Sequence, residues 1–128
     1  LLPPSNPGVS VGTVLGVPGV RNALRRTSAP VVGLAPSVAG RHLRGMAEQL
    51  LRAVGVEVSA AGVAEHYGAR SRGGVIDGWL VDESDAALVP QVEAAGIRCA
   101  AVPLLMTDVA ATAAMARAAL GLMASPTP

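Results

Sequence analysis

The sequence has 128 residues, about half of them hydrophobic, one cysteine and a formal net charge of +1. That length supports one domain-sized core, or part of one, and the scattered basic residues give no field for a polyanion, which argues against a nucleic-acid partner. Every basic side chain is an arginine, which excludes Schiff-base chemistry and the phosphate-loop lysine and leaves any phosphate to arginine or to backbone N–H groups.

In chain order, the first residues lack an initiator methionine and show no basic segment followed by an apolar run, so they read as a chain entered midway rather than as a signal peptide. Residues 3–12 form a loop dense in proline, glycine and short polar side chains. Such a loop can present Ser5, Asn6, Ser10 and nearby N–H groups in a fixed array, or serve as an ordinary connection. A helix is predicted over residues 19–26 and a strand over 30–34. Next comes the segment 35–45, where Arg41 and Arg44 follow a strand and precede a helix, a position that favours phosphate. Exposed arginines on a solvated loop are the plainer alternative.

Helices are predicted over 45–54 and 60–66. In the first, Met46, Leu50, Leu51 and Val54 form a stripe expected to face the core while Glu48, Gln49 and Arg52 face water. A strand follows over 75–81, then a helix over 84–95 that Pro90 divides, a strand over 97–102 holding Cys99, and a helix over 107–120. Ser59, Ser84 and Thr107 or Asp108 read as helix N-caps; Gly55, Gly68, Gly96 and Gly121 read as helix stops.

Short β-branched runs alternating with helices predict an α/β fold built on a parallel sheet. Residues 109–124 are alanine-rich, interrupted by Arg117, and too short and weakly hydrophobic to span a bilayer. A soluble, cytoplasmic protein is expected, and the lone Cys99, a small apolar filler in this reading, suits a reducing compartment. His42 and His66 have no carboxylate at a telling spacing, and Asp77, Asp82 and Asp85 read as solvated or capping residues. Gly8-Val9-Ser10-Val11-Gly12 matches the nucleophile-elbow pattern G-x-S-x-G. No buried strand precedes it, however, and no histidine follows the strand-end acids, so a serine hydrolase is the weakest of the alternatives. A non-catalytic nucleotide-binding module is another.

The run Pro4-Ser5-Asn6-Pro7 with Ser10 and Gly12, then Val17-Pro18-Gly19-Val20-Arg21, Ala29-Pro30-Val31-Val32, Pro36 to Gly45, Ile76-Asp77-Gly78 and Leu105-Met106-Thr107-Asp108, resembles the C-terminal part of the 2-phospho-L-lactate transferase family of coenzyme F420 biosynthesis. The resemblance covers nearly the whole chain. It implies a Rossmann-like parallel sheet with helices on both faces, incomplete because the N-terminal part is absent, so that residues 1–128 are the C-terminal portion of one transferase domain. It implies transfer of a phospholactyl or phosphoenolpyruvyl group from a guanosine diphosphate-linked donor to the deazaflavin Fo, with release of GMP, by a homodimeric enzyme that uses Mg²⁺. Ser5, Asn6, Pro7, Ser10 and Gly12 would then line the donor or Fo pocket, with Arg41 and Arg44 as phosphate contacts. The metal ligand, and the catalytic residues with it, are expected upstream, so the chain by itself is expected to be inactive.

Overall fold

The computed structural model describes residues 1–36, 38, 41 and 46–124. Among these, β1 (Val32–Leu34), β2 (Gly78–Asp82) and β3 (Arg98–Val102) form one parallel sheet in the order β1-β2-β3. Leu2 adds a one-residue bridge beside β1, also parallel: its N–H donates to the Val32 carbonyl at 2.8 Å and its carbonyl accepts from Leu34 N–H at 3.0 Å. Parallel strands need long crossovers, and helices supply them. The short α1 (Val11–Leu15) and α2 (Val20–Arg26) separate Leu2 from β1, α3 (Met46–Ala53) and α4 (Ala60–Tyr67) separate β1 from β2, and α5 (Val89–Ala94) separates β2 from β3. The chain then enters α6 (Val109–Ala124).

Residues paired across the sheet share a face. Gly33, Trp79 and Cys99 stand in register, and the Trp79 indole N–H donates to the Ala60 carbonyl at 3.1 Å, so this face meets α4. A Cβ on Gly33 would lie 2.5 Å from the Trp79 ring, which is why glycine stands there. On the other face Gly78 lies against Leu122 and Met123 of α6. Helices thus cover both faces, the Rossmann-like arrangement expected, with fewer strands than the doubly wound sheets of that class. The centre of the core is Trp79, Ile76, Leu80, Ile97 and Val63, all fully buried.

Four predicted features are corrected. The stripe on α3 faces the core only through Leu51, which is buried with Ala47 beside it; Met46 is 70% exposed and Val54, just past the helix end, 64%. The predicted helix over 84–95 is a 3₁₀ segment, Glu83–Leu88, followed by α5, with Pro90 in the first turn of α5, where its missing N–H costs nothing. Ser84 is not the cap of that segment; Asp82 is, accepting from Ser84 N–H at 2.9 Å. Gly121 does not stop α6, which runs on to Ala124 because Leu122 and Met123 pack against the core. Ser59 caps α4 as expected, accepting from Gly62 N–H at 2.9 Å, and Asp108 rather than Thr107 accepts from Ala111 N–H at 2.7 Å in the first turn of α6.

Candidate functional site at the carboxyl edge of the sheet

Since Leu2, β1, β2 and β3 all run the same way, their carboxyl ends share one edge. The loops that leave it are residues 3–10, the segment from residue 35, the Glu83–Leu88 turn and residues 103–108. Ligands of open parallel sheets sit at this edge. The two segments singled out by composition therefore rise from neighbouring strands. The first of them also meets α3, where Leu50 lies close to Gly8.

The first loop is built from its own polar groups. Asn6 Oδ1 accepts from Gly8 N–H at 2.8 Å, and the Asn6 carbonyl accepts from both the N–H and the hydroxyl of Ser10, each at 3.1 Å. Thr13 Oγ1 donates to the Val9 carbonyl at 2.6 Å. Pro7 is fully buried, and the backbone of Gly12 comes so close to it that a Cβ there would lie 1.9 Å from the Pro7 carbonyl oxygen. Asn6, Ser10 and Gly12 thus fix the shape of the loop. Ser10 is preceded by turns rather than by a strand, and its hydroxyl is engaged with Asn6, which leaves no elbow geometry for a serine nucleophile. Ser5 Oγ is shielded from water and has no hydrogen-bond partner.

Arg41 is exposed, in the segment that follows β1. Arg44 and His42 lie outside the described residues. His66 lies in the last turn of α4 on the amino side of β2, away from this edge; partial burial, then the Arg21 charge, hold its pKa below the ordinary value. Burial, reinforced by Glu93, pushes the Cys99 thiol up to about 12, so it is no nucleophile near neutral pH.

Asp82, at the end of β2, is the buried charged residue of this edge, 5% exposed. Its Oδ1 accepts from Leu104 N–H at 2.9 Å, and its Oδ2 accepts from the N–H and the hydroxyl of Ser84. It therefore ties the loop after β2 to the loop after β3. Burial pushes its carboxyl up, but the Ser84 hydroxyl and the N–H groups of Leu104, Ser84 and Glu83 outweigh that and hold its pKa below the ordinary 3.8. A depressed carboxylate pKa adds stability above the unfolded value, and that stability is lost as pH falls through the folded one. Asp82→Asn should cost about 1–2 kcal/mol near pH 7. Urea titrations at pH 7 and pH 3 should show the gap from wild type shrinking on acidification; a constant gap would mean that the ionised form makes no special contribution.

Two features had no signal in the sequence. A shallow apolar cavity of about 330 Å³, lined by Pro3, Pro4, Leu34, Met106, Met115 and neighbours, opens where the first and last loops meet α6. Below the sheet, at its amino end, Arg70 Nε donates to Asp77 Oδ1 at 3.1 Å, and its Nη2 lies 3.0 Å from Asp77 Oδ2. Its Nη1 donates to the carbonyls of Leu24, Thr27 and Ala29. Asp77 Oδ2 in turn accepts from Val31 N–H at 2.8 Å. This clamp fixes the approach of α2 to β1 and so the position of the edge above it.

Among the described residues, no three His, Cys, Asp or Glu side chains are grouped to hold a metal ion, and no helix is long and apolar enough to cross a membrane.

A family model described as 2-phospho-L-lactate transferase CofD matches residues 1–114. The chain is 62% identical over 122 residues to a phosphoenolpyruvate transferase of Streptomyces griseus, covering 95% of this chain and 37% of the relative. A phosphoenolpyruvate transferase of Streptomyces coelicolor is 59% identical, with 95% and 37% coverage, and one of Mycolicibacterium smegmatis 56%, with 95% and 36%. The chain spans little more than a third of the length of these relatives.

Proposed function

Because the chain belongs to the 2-phospho-L-lactate transferase family, we propose that it forms part of a transferase of coenzyme F420 biosynthesis. The reaction moves a phosphoenolpyruvyl or phospholactyl group from a guanosine diphosphate-linked donor to the deazaflavin Fo. A ribityl hydroxyl of Fo attacks the phosphorus that carries the organic acid, its proton passing to solvent, and the bond from that phosphorus to GMP breaks, so that GMP leaves with the electron pair. The observation that carries this reading is the match over residues 1–114, which takes in every loop at the carboxyl edge.

In this reading the residues of the chain bind and orient. The residue 3–10 loop, with Ser5, Asn6, Pro7 and Ser10, and Gly12 in the first turn of α1 form a wall of the donor or Fo pocket, and Arg41 and Arg44 meet donor phosphate as charge-assisted partners. The apolar cavity beside Leu34 and Met106 is the place for a flat ring or for the hydrocarbon part of a substrate. Mg²⁺ offsets oxygen charge in transfers of this kind when bound. Asp82, Asp77 and Asp108 do not fit it: Asp82 is taken up by three donors, Asp77 by Arg70 and Val31, and Asp108 by the first turn of α6. In this reading the metal ligands belong to the part of family members that this chain does not match, and the chain alone is inactive. A homodimeric, cytoplasmic enzyme completes the reading.

Calorimetric titration of the folded chain with GDP and with ADP, in Mg²⁺, tests it. GDP should bind and ADP should not, and Arg41→Gln should weaken GDP binding on the order of tenfold or more. Equal binding of both nucleotides would favour a general nucleotide-binding module. A flat GDP titration would move the donor contacts out of this chain.

A further inference from the structure

At the β3 side of the sheet α5, α6 and the Glu83–Leu88 turn pack against a five-residue strand, whereas at the Leu2 side the sheet ends in a one-residue bridge with apolar grooves beside it. On the α1–α2 face lies an open groove of about 550 Å³ lined by Leu2, Val9, Val11, Val14, Leu15 and Leu24. On the α6 face lies a second, of about 220 Å³, between Leu1, Val32 and the Ala119–Leu120–Met123 side of α6. Both are overwhelmingly apolar, and their rims carry Leu1, Val9, Val14 and Leu120, each more than half exposed. Ser5 and Ser10 lie at the loop end of the first groove, so its occupant would border the proposed donor or Fo pocket there. α6 has one charged residue, Arg117, in 16, yet only Met115 and Ala119 are buried. A helix apolar nearly all round is ordinarily covered on more than one side.

An apolar slot on each face of one sheet edge is the negative image of another α/β layer. Surfaces this contiguous and apolar mark contact sites. The relatives supply the size of the occupant, since nearly two thirds of their length lies outside the match. We propose that the Leu2 edge, with its two flanking grooves, is the docking surface for that remaining part of a family member, which seats an apolar segment of polypeptide in each groove. Pro3 has no N–H to give, so the occupant is held chiefly by side-chain burial, with limited backbone pairing along Leu1–Pro3. The proposal rests on family membership and on the grooves, not on the identity of the substrates.

The test places the chain, in place of the stretch it matches, within the full-length Streptomyces griseus relative, and measures maleimide labelling of single introduced cysteines. Val14→Cys and Leu120→Cys report the two grooves; Glu93→Cys, exposed on α5 beside β3, reports the opposite edge. Native Cys99, buried, reacts only on unfolding and so marks any misfolded sample. Relative to the 128-residue chain alone, Val14→Cys and Leu120→Cys should label at least tenfold more slowly in the full-length chimera, independently of protein concentration, with Glu93→Cys unchanged. Labelling as fast in the chimera as in the chain would overturn the proposal, as would protection equal or greater at Glu93→Cys. Protection that grows with concentration would assign the edge to a second copy instead. A chimera in which Cys99 labels is misfolded; the same three cysteines, read in the chain co-expressed with the remainder of the relative, then decide between these outcomes.

Discussion

Arg70→Ala should lower folding stability by about 3 kcal/mol, within the range for breaking a buried ion pair, and the melting temperature by roughly 10 °C. The side chain is only 17% exposed and serves two purposes at once. It neutralises Asp77, and it supplies the donor for three carbonyls at the end of α2 and the start of the β1 segment. Removing it leaves a carboxylate and those carbonyls short of partners, and unmade bonds at shielded groups cost more than made ones contribute. Arg70→Lys should recover less than half of the loss, because an ammonium cannot span Asp77 and the carbonyls together. Thermal unfolding of the three proteins checks this. A drop below about 1 kcal/mol for alanine would mean that water replaces the guanidinium without penalty.

Gly12→Ala is the second large effect expected, at about 2 kcal/mol or more, since overpacking against a fixed group costs of that order. The added methyl would land on the Pro7 carbonyl, and Pro7 is buried, so either α1 or the whole Asn6–Ser10 turn must move. Gly121→Ala is the matched contrast. A Cβ there meets nothing within 4 Å, inside a 16-residue helix, so it should stabilise by about 0.5–1 kcal/mol. Urea denaturation of both variants separates the readings; equal behaviour of the two would show that the Pro7 approach relaxes freely.

Much of the architecture was legible because strands and crossovers leave different periods in a sequence. The β-branched runs around Val32, Leu80 and Cys99 marked all three strands, and Ser59 marked the start of α4. α1 was missed because Val11, Gly12 and Thr13 are poor helix formers that follow a proline-rich turn. Its helix is held by the Pro7 and Ser10 contacts rather than by propensity. In α3, periodicity marked Leu51, which is buried, but not which of its neighbours the core would cover; Ala47 is buried beside it while Met46, Leu50 and Val54 are exposed. Gly121 looked like a stop until the packing of Leu122 and Met123 under Gly78 overrode it.

At the candidate site the composition of residues 3–12 pointed to a loop that presents short polar groups, and the structure shows those groups hydrogen-bonded to one another. Composition did not reveal that Asn6, Ser10 and Gly12 hold one another in place, because hydrogen bonds at short range and ligand contacts draw on the same residue types. The Arg70–Asp77 clamp left no trace in the sequence at all. Its partners are separated by a glycine turn at one end and by more than forty residues at the other, and neither interval carries a period.

The single tryptophan gives the molecule a built-in optical reporter. Trp79 is sealed between Gly33 and α4, its ring centroid 5.8 Å from that of Tyr67, the only tyrosine. All of the intrinsic aromatic emission therefore arises from one point on the α4 face of the sheet, with the tyrosine close enough to pass its excitation to the indole. None of the loop residues assigned to substrate contact is aromatic. Intrinsic fluorescence will thus follow the integrity of the core and stay blind to events at the carboxyl edge unless a ligand itself absorbs where tryptophan emits.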